Sequence, residues 1–222
     1  MQNLNIIAFT DFHGRQDAGR KARQLISREQ PALIVVAGDL VNYDVQLAKQ
    51  LLLDMAQGGR PIYFVPGNMD DRELGQWSGN ELVRPLHGRR EQINELCLIG
   101  LGGSPVGSFK SPFGFTEQDA TRLLNNLVGN CHQDKTILVA HCPPKNTKID
   151  HVASGEHIGS ISVRKFVEKT QPLLVISGHV HEAQGVDKIG KTTLVNPGPA
   201  HHGHFARISL NDDVTVCFDR LA

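Results

Sequence analysis

A chain of 222 residues is long enough to bury a substantial core. Its 23 Lys and Arg residues balance 23 Asp and Glu, so no net field gathers nucleic acid or lipid headgroups, and neither is the expected partner. Residues 1–9 lack the basic segment and small-residue cleavage site of a signal peptide, and no apolar run approaches the roughly 20 residues of a membrane span. A cytoplasmic protein is therefore expected. In keeping with that, the widely separated Cys97, Cys131, Cys142 and Cys217 form no CxxC pair and read as reduced thiols filling buried space.

Taken in chain order, residues 4–9 read as a strand, 18–28 as an amphipathic helix, 32–37 as a strand, 45–57 as a helix and 62–65 as a strand. A strand pair is expected within 83–100 and a long surface loop over the Gly-, Ser- and Pro-rich 102–114. Residues 116–128 and 163–169 read as helices, and 136–140 and 173–177 as strands. The strands are apolar at nearly every position, which suits a sheet covered on both faces, and their alternation with helices gives an α/β protein. Beyond residue 180 the pattern changes to short strands at 183–186, 193–196, 205–210 and 214–218, parted by turn signals. These read as antiparallel hairpins, so the sheet is mixed or there are two sheets. With no linker and no internal repeat, residues 1–222 are expected to form one domain.

Polar residues fall directly after the buried runs: Thr10-Asp11-Phe12-His13, Gly38-Asp39, Gly67-Asn68-Met69-Asp70, His141-Cys142-Pro143-Pro144 and Gly178-His179-Val180-His181. In open α/β sheets the carboxyl ends of the strands line the ligand crevice. Five such ends would bring Asp11, His13, Asp39, Asn68, His141, His179 and His181 together. A lone Gly-Asp is a turn, and one histidine among the eleven of this chain carries little weight. The weight comes from five motifs occurring in order, each closing an apolar run. Carboxylate, imidazole and amide donors favour Mn, Fe, Zn or Ni. Seven are too many for one tetrahedral ion and fit two metals sharing a carboxylate, an arrangement suited to in-line displacement at phosphorus.

The same five blocks resemble those of the calcineurin-like metallophosphoesterases, and His141-x-Pro143-Pro144 and Asn196-Pro197-Gly198 extend the resemblance. It implies an α/β fold built as a four-layer α/β/β/α sandwich, two mixed β-sheets flanked by helices. It implies two divalent metal ions, manganese first among the candidates: Asp11, His13 and His181 on one, Asn68, His141 and His179 on the other. Asp39 would bridge them beside a metal-bound hydroxide acting as nucleophile. Asp39, Asn68, Asp70 and His141 would form the catalytic set. Many members carry a histidine after the asparagine of the third block, where it protonates the leaving group. Met69 stands there, as in a small prokaryotic branch of the family, and methionine has no proton to give. His157, His201 and His202 are the candidates for substrate contact, and leaving groups of low pKa are expected to be preferred. His87, His132 and His151 lie in loop-like surroundings with no expected role.

The second block lacks the arginine and glycine of the protein serine/threonine phosphatases, and the short neutral chain lacks the extra domains of the family's DNA-repair nucleases. A phosphodiesterase, or else a phosphomonoesterase, acting on a small nucleotide-like substrate is expected, with substrate contacts in residues 102–115 and 142–160. The alternative is a non-catalytic metal-binding scaffold, similar to the retromer subunit of this fold.

Overall fold

Side chains alternate across the two faces of the central strands, and this decides the layering. The structure, a computed structural model, describes residues 4–107, 111–129 and 131–222. The chain runs β1 (Leu4–Phe9), α1 (Gln16–Glu29), β2 (Leu33–Val36), α2 (Val45–Ala56), β3 (Ile62–Phe64), α3 (Arg72–Gln76), β4 (Val83–Pro85), β5 (Arg90–Ile93) and β6 (Leu96–Leu101). It continues through β7 (Ser104–Pro105), β8 (Gly114–Phe115), α4 (Glu117–Val128), β9 (Thr136–Ala140), α5 (Ile161–Thr170), β10 (Leu174–Ile176), β11 (Gly185–Ile189), β12 (Thr192–Asn196), β13 (His204–Leu210) and β14 (Val214–Arg220).

Two six-stranded sheets form, in the orders β14-β13-β1-β2-β3-β4 and β11-β12-β10-β9-β6-β5. Both are mixed. In the first, β1 through β4 pair in parallel and β13 joins β1 antiparallel. In the second, β12, β10, β9 and β6 are parallel, with antiparallel β11 and β5 at the edges. Ile7, Phe9, Ile34, Val36 and Phe64 face α1 and α2, where they meet Leu25, Ile26, Leu52 and Met55. Ile6, Ala8, Leu33 and Val35 face the other way and meet Leu98, Ile137, Val139, Leu174 and Ile176 between the sheets. On the far side, Leu138, Ala140 and Val175 pack under Leu124, Val163 and Phe166. Each fully buried aliphatic side chain contributes about 1.5–3 kcal/mol, so the four layers are held by three apolar seams. The fold is the α/β/β/α sandwich that the family resemblance implies, and of the two arrangements the residues left open it has two sheets.

Helix starts follow local signals: Asp44 accepts from the Gln46 and Leu47 amides, Thr116 from Asp119 and Ser160 from Val163. The single-turn α3, capped by Asp71, is too short to show a period in sequence and goes unanticipated. So do β7 and β8, a two-residue parallel pair inside the expected long loop; its residues 108–110 lie outside those described.

One expectation fails in the core. Cys97 and Cys131 are joined by a disulfide across 34 residues of sequence, with Cα atoms 6.0 Å apart. The turn after α4 returns the chain alongside β6, a juxtaposition that cysteine spacing does not reveal. Cys142 is a buried free thiol and Cys217 an exposed one, so Cys217 does not fill the interior either. One ground for the cytoplasmic expectation, four free thiols, is thereby removed. Among the described residues no helix is long and apolar enough to cross a membrane.

Candidate metal centre

All five polar blocks emerge at one edge of the sandwich. Asp11 and His13 follow β1, Asp39 follows β2, Asn68 follows β3, His141 follows β9, and His179 and His181 follow β10. The chain reverses sharply there to aim them inward. Asp11, His13, Asp39 and His179 have φ of 55°, 46°, 50° and 69°, left-handed values that non-glycine residues rarely adopt and that cost about 1–3 kcal/mol each. Backbone bonds hold these turns: Asp11 N donates to Gly38 O at 2.9 Å, His13 N to Asp39 O at 3.0 Å, and Gly178 N to His141 O at 2.9 Å. Gly38 turns at φ +97°, and a Cβ on Gly67 would collide with the Asp39 carboxylate.

The donor atoms converge. His13 Nε2 lies 3.1 Å from His181 Nε2, and His181 Nε2 lies 3.4 Å from Asp11 Oδ1. Asp39 Oδ2 sits 3.8 Å from His13 Nε2 and 3.6 Å from His141 Nε2. His141 Nε2 lies 3.0 Å from Asn68 Oδ1, and the His141 and His179 rings meet edge-on at 5.2 Å. The structure thus brings all seven expected ligands together.

Their hydrogen bonding leaves room for cations. His141 Nδ1 donates to Ala37 O at 2.7 Å, so the neutral ring presents the Nε2 lone pair to Asn68 Oδ1, itself an acceptor. His13 Nδ1 likewise donates to Asn42 Oδ1 at 2.9 Å, which leaves the Nε2 lone pair toward His181. Asp11 Oδ2 accepts from Thr10 Oγ1 at 2.7 Å and from His179 N at 3.2 Å, while the buried Asp11 Oδ1 has no hydrogen-bond partner. Facing acceptors and an orphaned carboxylate oxygen are what a metal-ligand set presents.

The family profile of the calcineurin-like phosphoesterases matches residues 4–183. The chain belongs to that family. It is 30% identical over 201 residues to the uncharacterised protein MJ1162 of Methanocaldococcus jannaschii, covering 88% of both chains. In fold it resembles TT1561 of Thermus thermophilus, with a TM-score of 0.78, 17% identity and 99% of each chain covered. It also resembles a dimetal phosphatase from Danio rerio, with a TM-score of 0.66, 14% identity and again 99% of each chain.

The family is metal-dependent, and the charge states of this phosphoesterase suit that. Burial pushes the His141 imidazole down and His179 down to about 3, so both rings are neutral and ready to ligate. Burial and the Asp11 carboxylate push Asp39 up to about 7. Asp11, against its burial, is held low by His181 and His141. Two carboxylates in one dry pocket resist carrying two charges until a cation joins them.

The remaining candidates are placed differently. Asp70 is fully buried; its carboxylate accepts from Leu40 N at 3.1 Å, Val41 N at 2.9 Å and Gly67 N at 2.8 Å. It ties the Asp39 turn to the Asn68 turn. His157 Nδ1 donates to the buried Asp150 carboxylate at 2.7 Å, inside the 142–160 loop. His201 stands beside His13 and His181, while exposed His202 lies against it at 4.1 Å. Beside Asn68 and His179 opens a cleft of about 800 Å³, with Ser104, Val106, Lys145 and Ile158 among its walls. Sequence reasoning missed Thr10, Asn42 and the Ala37 carbonyl, which orient ligands; Thr10 and Asn42 sit inside the motifs and are visible there only as neighbours. It also misjudged His87, whose half-buried ring accepts from Gly102 N at 2.9 Å and meets Phe113 edge-on at 4.8 Å.

Proposed function

We propose that this chain is a phosphoesterase with two divalent cations that hydrolyses small, nucleotide-like phosphodiesters in preference to monoesters, with manganese as the resident metal and Fe, Zn or Ni as competitors. One observation carries the reading: Asp39 Oδ2 lies within 3.8 Å of His13 Nε2 and 3.6 Å of His141 Nε2, between the two groups of donors. Asp11, His13 and His181 would hold one cation, Asn68, His141 and His179 the other, and Asp39 both. Cations so held lower the pKa of a water and stabilise charge developing on the phosphoryl oxygens.

The protein's own groups set orientation. Ala37 O and Asn42 Oδ1 fix the tautomers of His141 and His13, and Thr10 turns Asp11 so that Oδ1 is free. Asp70 positions two ligand turns without facing the reacting atoms. The cleft beside Asn68 is within the size range of small-molecule sites, and the 102–115 and 142–160 segments both supply its walls. Met69 occupies the rim of this cleft and offers no proton. General-acid help is worth about 10²–10⁴-fold, so its absence favours leaving groups that depart as stable anions.

The test is hydrolysis of bis-p-nitrophenyl phosphate, p-nitrophenyl phosphate and an alkyl phosphodiester by metal-stripped protein, with Mn²⁺, Ni²⁺, Zn²⁺ and Mg²⁺ added back in turn. Metal-dependent turnover that favours the aryl diester is expected. Equal rates on aryl and alkyl diesters would overturn the leaving-group argument. Metal uptake with no turnover of any phosphoester would replace the enzyme with the scaffold.

A further inference from the structure

We infer that His201 is a third imidazole for the cation held by His13 and His181. The inference rests on the two-metal reading and adds a ligand from outside the five blocks, beyond residue 183 where the family profile ends. Ring nitrogens of His13, His181 and His201 all lie within 4.8 Å of one another. The His201 ring stands edge-on to both, at 5.2 Å from His13 and 5.1 Å from His181, so the three rings surround one point.

The tautomer is set for ligation. His201 Nδ1 donates to Asp11 O at 2.8 Å, which leaves the Nε2 lone pair as the free donor. A backbone carbonyl on the far nitrogen is the usual partner of a metal-bound histidine. Here that carbonyl belongs to Asp11, itself a ligand, so the two donors are held in register.

The loop that carries His201 is rigidly seated. Ala200 N donates to Thr10 O at 2.8 Å and His201 N to Asp11 O at 3.1 Å, which straps the turn across the end of β1. Behind it, Asn196 Nδ2 donates to Val180 O at 2.8 Å and Gln184 Nε2 to Pro197 O at 2.8 Å. These bonds tie the same turn to the strand end that carries His179 and His181. His201 is therefore anchored to both chain segments that supply the other ligands of its cation.

The consequence is asymmetry. One cation has three imidazoles and two carboxylates; the other has two imidazoles, an amide and the shared carboxylate. The imidazole-rich position holds borderline ions such as Zn²⁺ or Ni²⁺ the more tightly.

Calorimetric titration of the metal-free protein with Zn²⁺ tests this, comparing wild type, His201→Ala and His202→Ala. Two binding events are expected in wild type and in His202→Ala. His201→Ala should weaken one event by about ten- to a hundredfold and leave the other unchanged, and added imidazole should restore it. X-ray absorption of the loaded proteins should show a lower mean number of imidazoles per zinc in His201→Ala. Thermal melting of the metal-free variant separates a misfolded loop from a lost ligand, and the rescue by imidazole holds only for the latter. Unchanged affinities and an unchanged imidazole count in His201→Ala would overturn the inference while the two-metal reading stands. A wild-type protein that binds fewer than two zinc ions would remove both.

Discussion

The two halves of the metal-bearing edge arise from the same kind of strand end but differ in how they meet solvent. In the half with His13 and His181 the side chains are 19% and 38% exposed; in the half with His141 the ring is 0% exposed. The difference lies in what covers them. Gly103 and Phe113 lie against the strand end that carries Asn68, with Gly103 N donating to Pro66 O at 2.9 Å and Phe113 N to Asn68 O at 3.3 Å. The other half has the short turn at Ala200–His202 and Asn42 beside it. Strand ends choose the ligands; loops choose access. On the proposed two-cation reading, a cation in the more open half should exchange faster than one beside the fully buried His141.

Asp39→Asn breaks the comparison most severely, because Asp39 Oδ2 lies within 3.8 Å of His13 Nε2 in one half and 3.6 Å of His141 Nε2 in the other. Turnover of an aryl phosphodiester should fall by about 10³-fold or more, the scale for removing a group that organises transition-state charge. A loss under tenfold would mean that the halves work independently.

Metal removal is next. Without cations, Asp39 is pushed up to about 7 by burial and Asp11, above its unfolded value. The stability it supports at low pH is therefore lost as pH rises through 7, and a cation restores it there. Saturating metal, at roughly 100 times Kd, should add about 2.7 kcal/mol, read as a rise in melting temperature that chelator reverses and that is larger at pH 8 than at pH 5. No shift at either pH would deny that these carboxylates meet a cation.

Asp70→Asn probes what joins the halves from beneath. An amide cannot accept all three backbone N–H groups that Asp70 accepts, so the metal-free protein should lose about 1–3 kcal/mol. Turnover at saturating metal should stay within tenfold of wild type. Wild-type melting with a hundredfold loss of turnover would instead give Asp70 a chemical part.

The convergence of the seven candidate ligands was legible because each closes an apolar run, and a buried parallel strand has few ways to end. The four layers were legible for the same reason, with the resemblance supplying the second sheet. What escaped depended on long-range return of the chain. Cys97 meets Cys131 only because α4 comes back beside β6. His201 was already a candidate for substrate contact, and it stands against His13 because the turn before β13 is strapped to β1. The expectation for His157 rested on its loop following His141; its Nδ1 is held by Asp150. His87 looked like a loop residue because its partners, Gly102 and Phe113, lie in a segment without periodicity.

His87 also supplies the smallest and sharpest test of the His141 half. Its Nδ1 accepts from Gly102 N, so folding requires the neutral ring, and burial with the nearby Arg89 pushes its pKa down to about 4. The folded value lies below the unfolded one, near 6.5. The stability this ring contributes is therefore whole above pH 6.5, is lost as pH falls toward 4, and declines no further below that. Between pH 7 and pH 5 the wild type should lose about 2 kcal/mol more than His87→Gln, whose amide oxygen accepts from Gly102 without titrating. Urea melts at the two pH values measure this. Since Phe113, which meets the His87 ring, donates its N–H to Asn68 O, metal in the His141 half should also exchange faster at pH 5 in the wild type than in the variant. If acid speeds exchange equally in both proteins, the contact of Phe113 with Asn68 is held by something other than His87, and the contrast in exposure between the halves needs another cause.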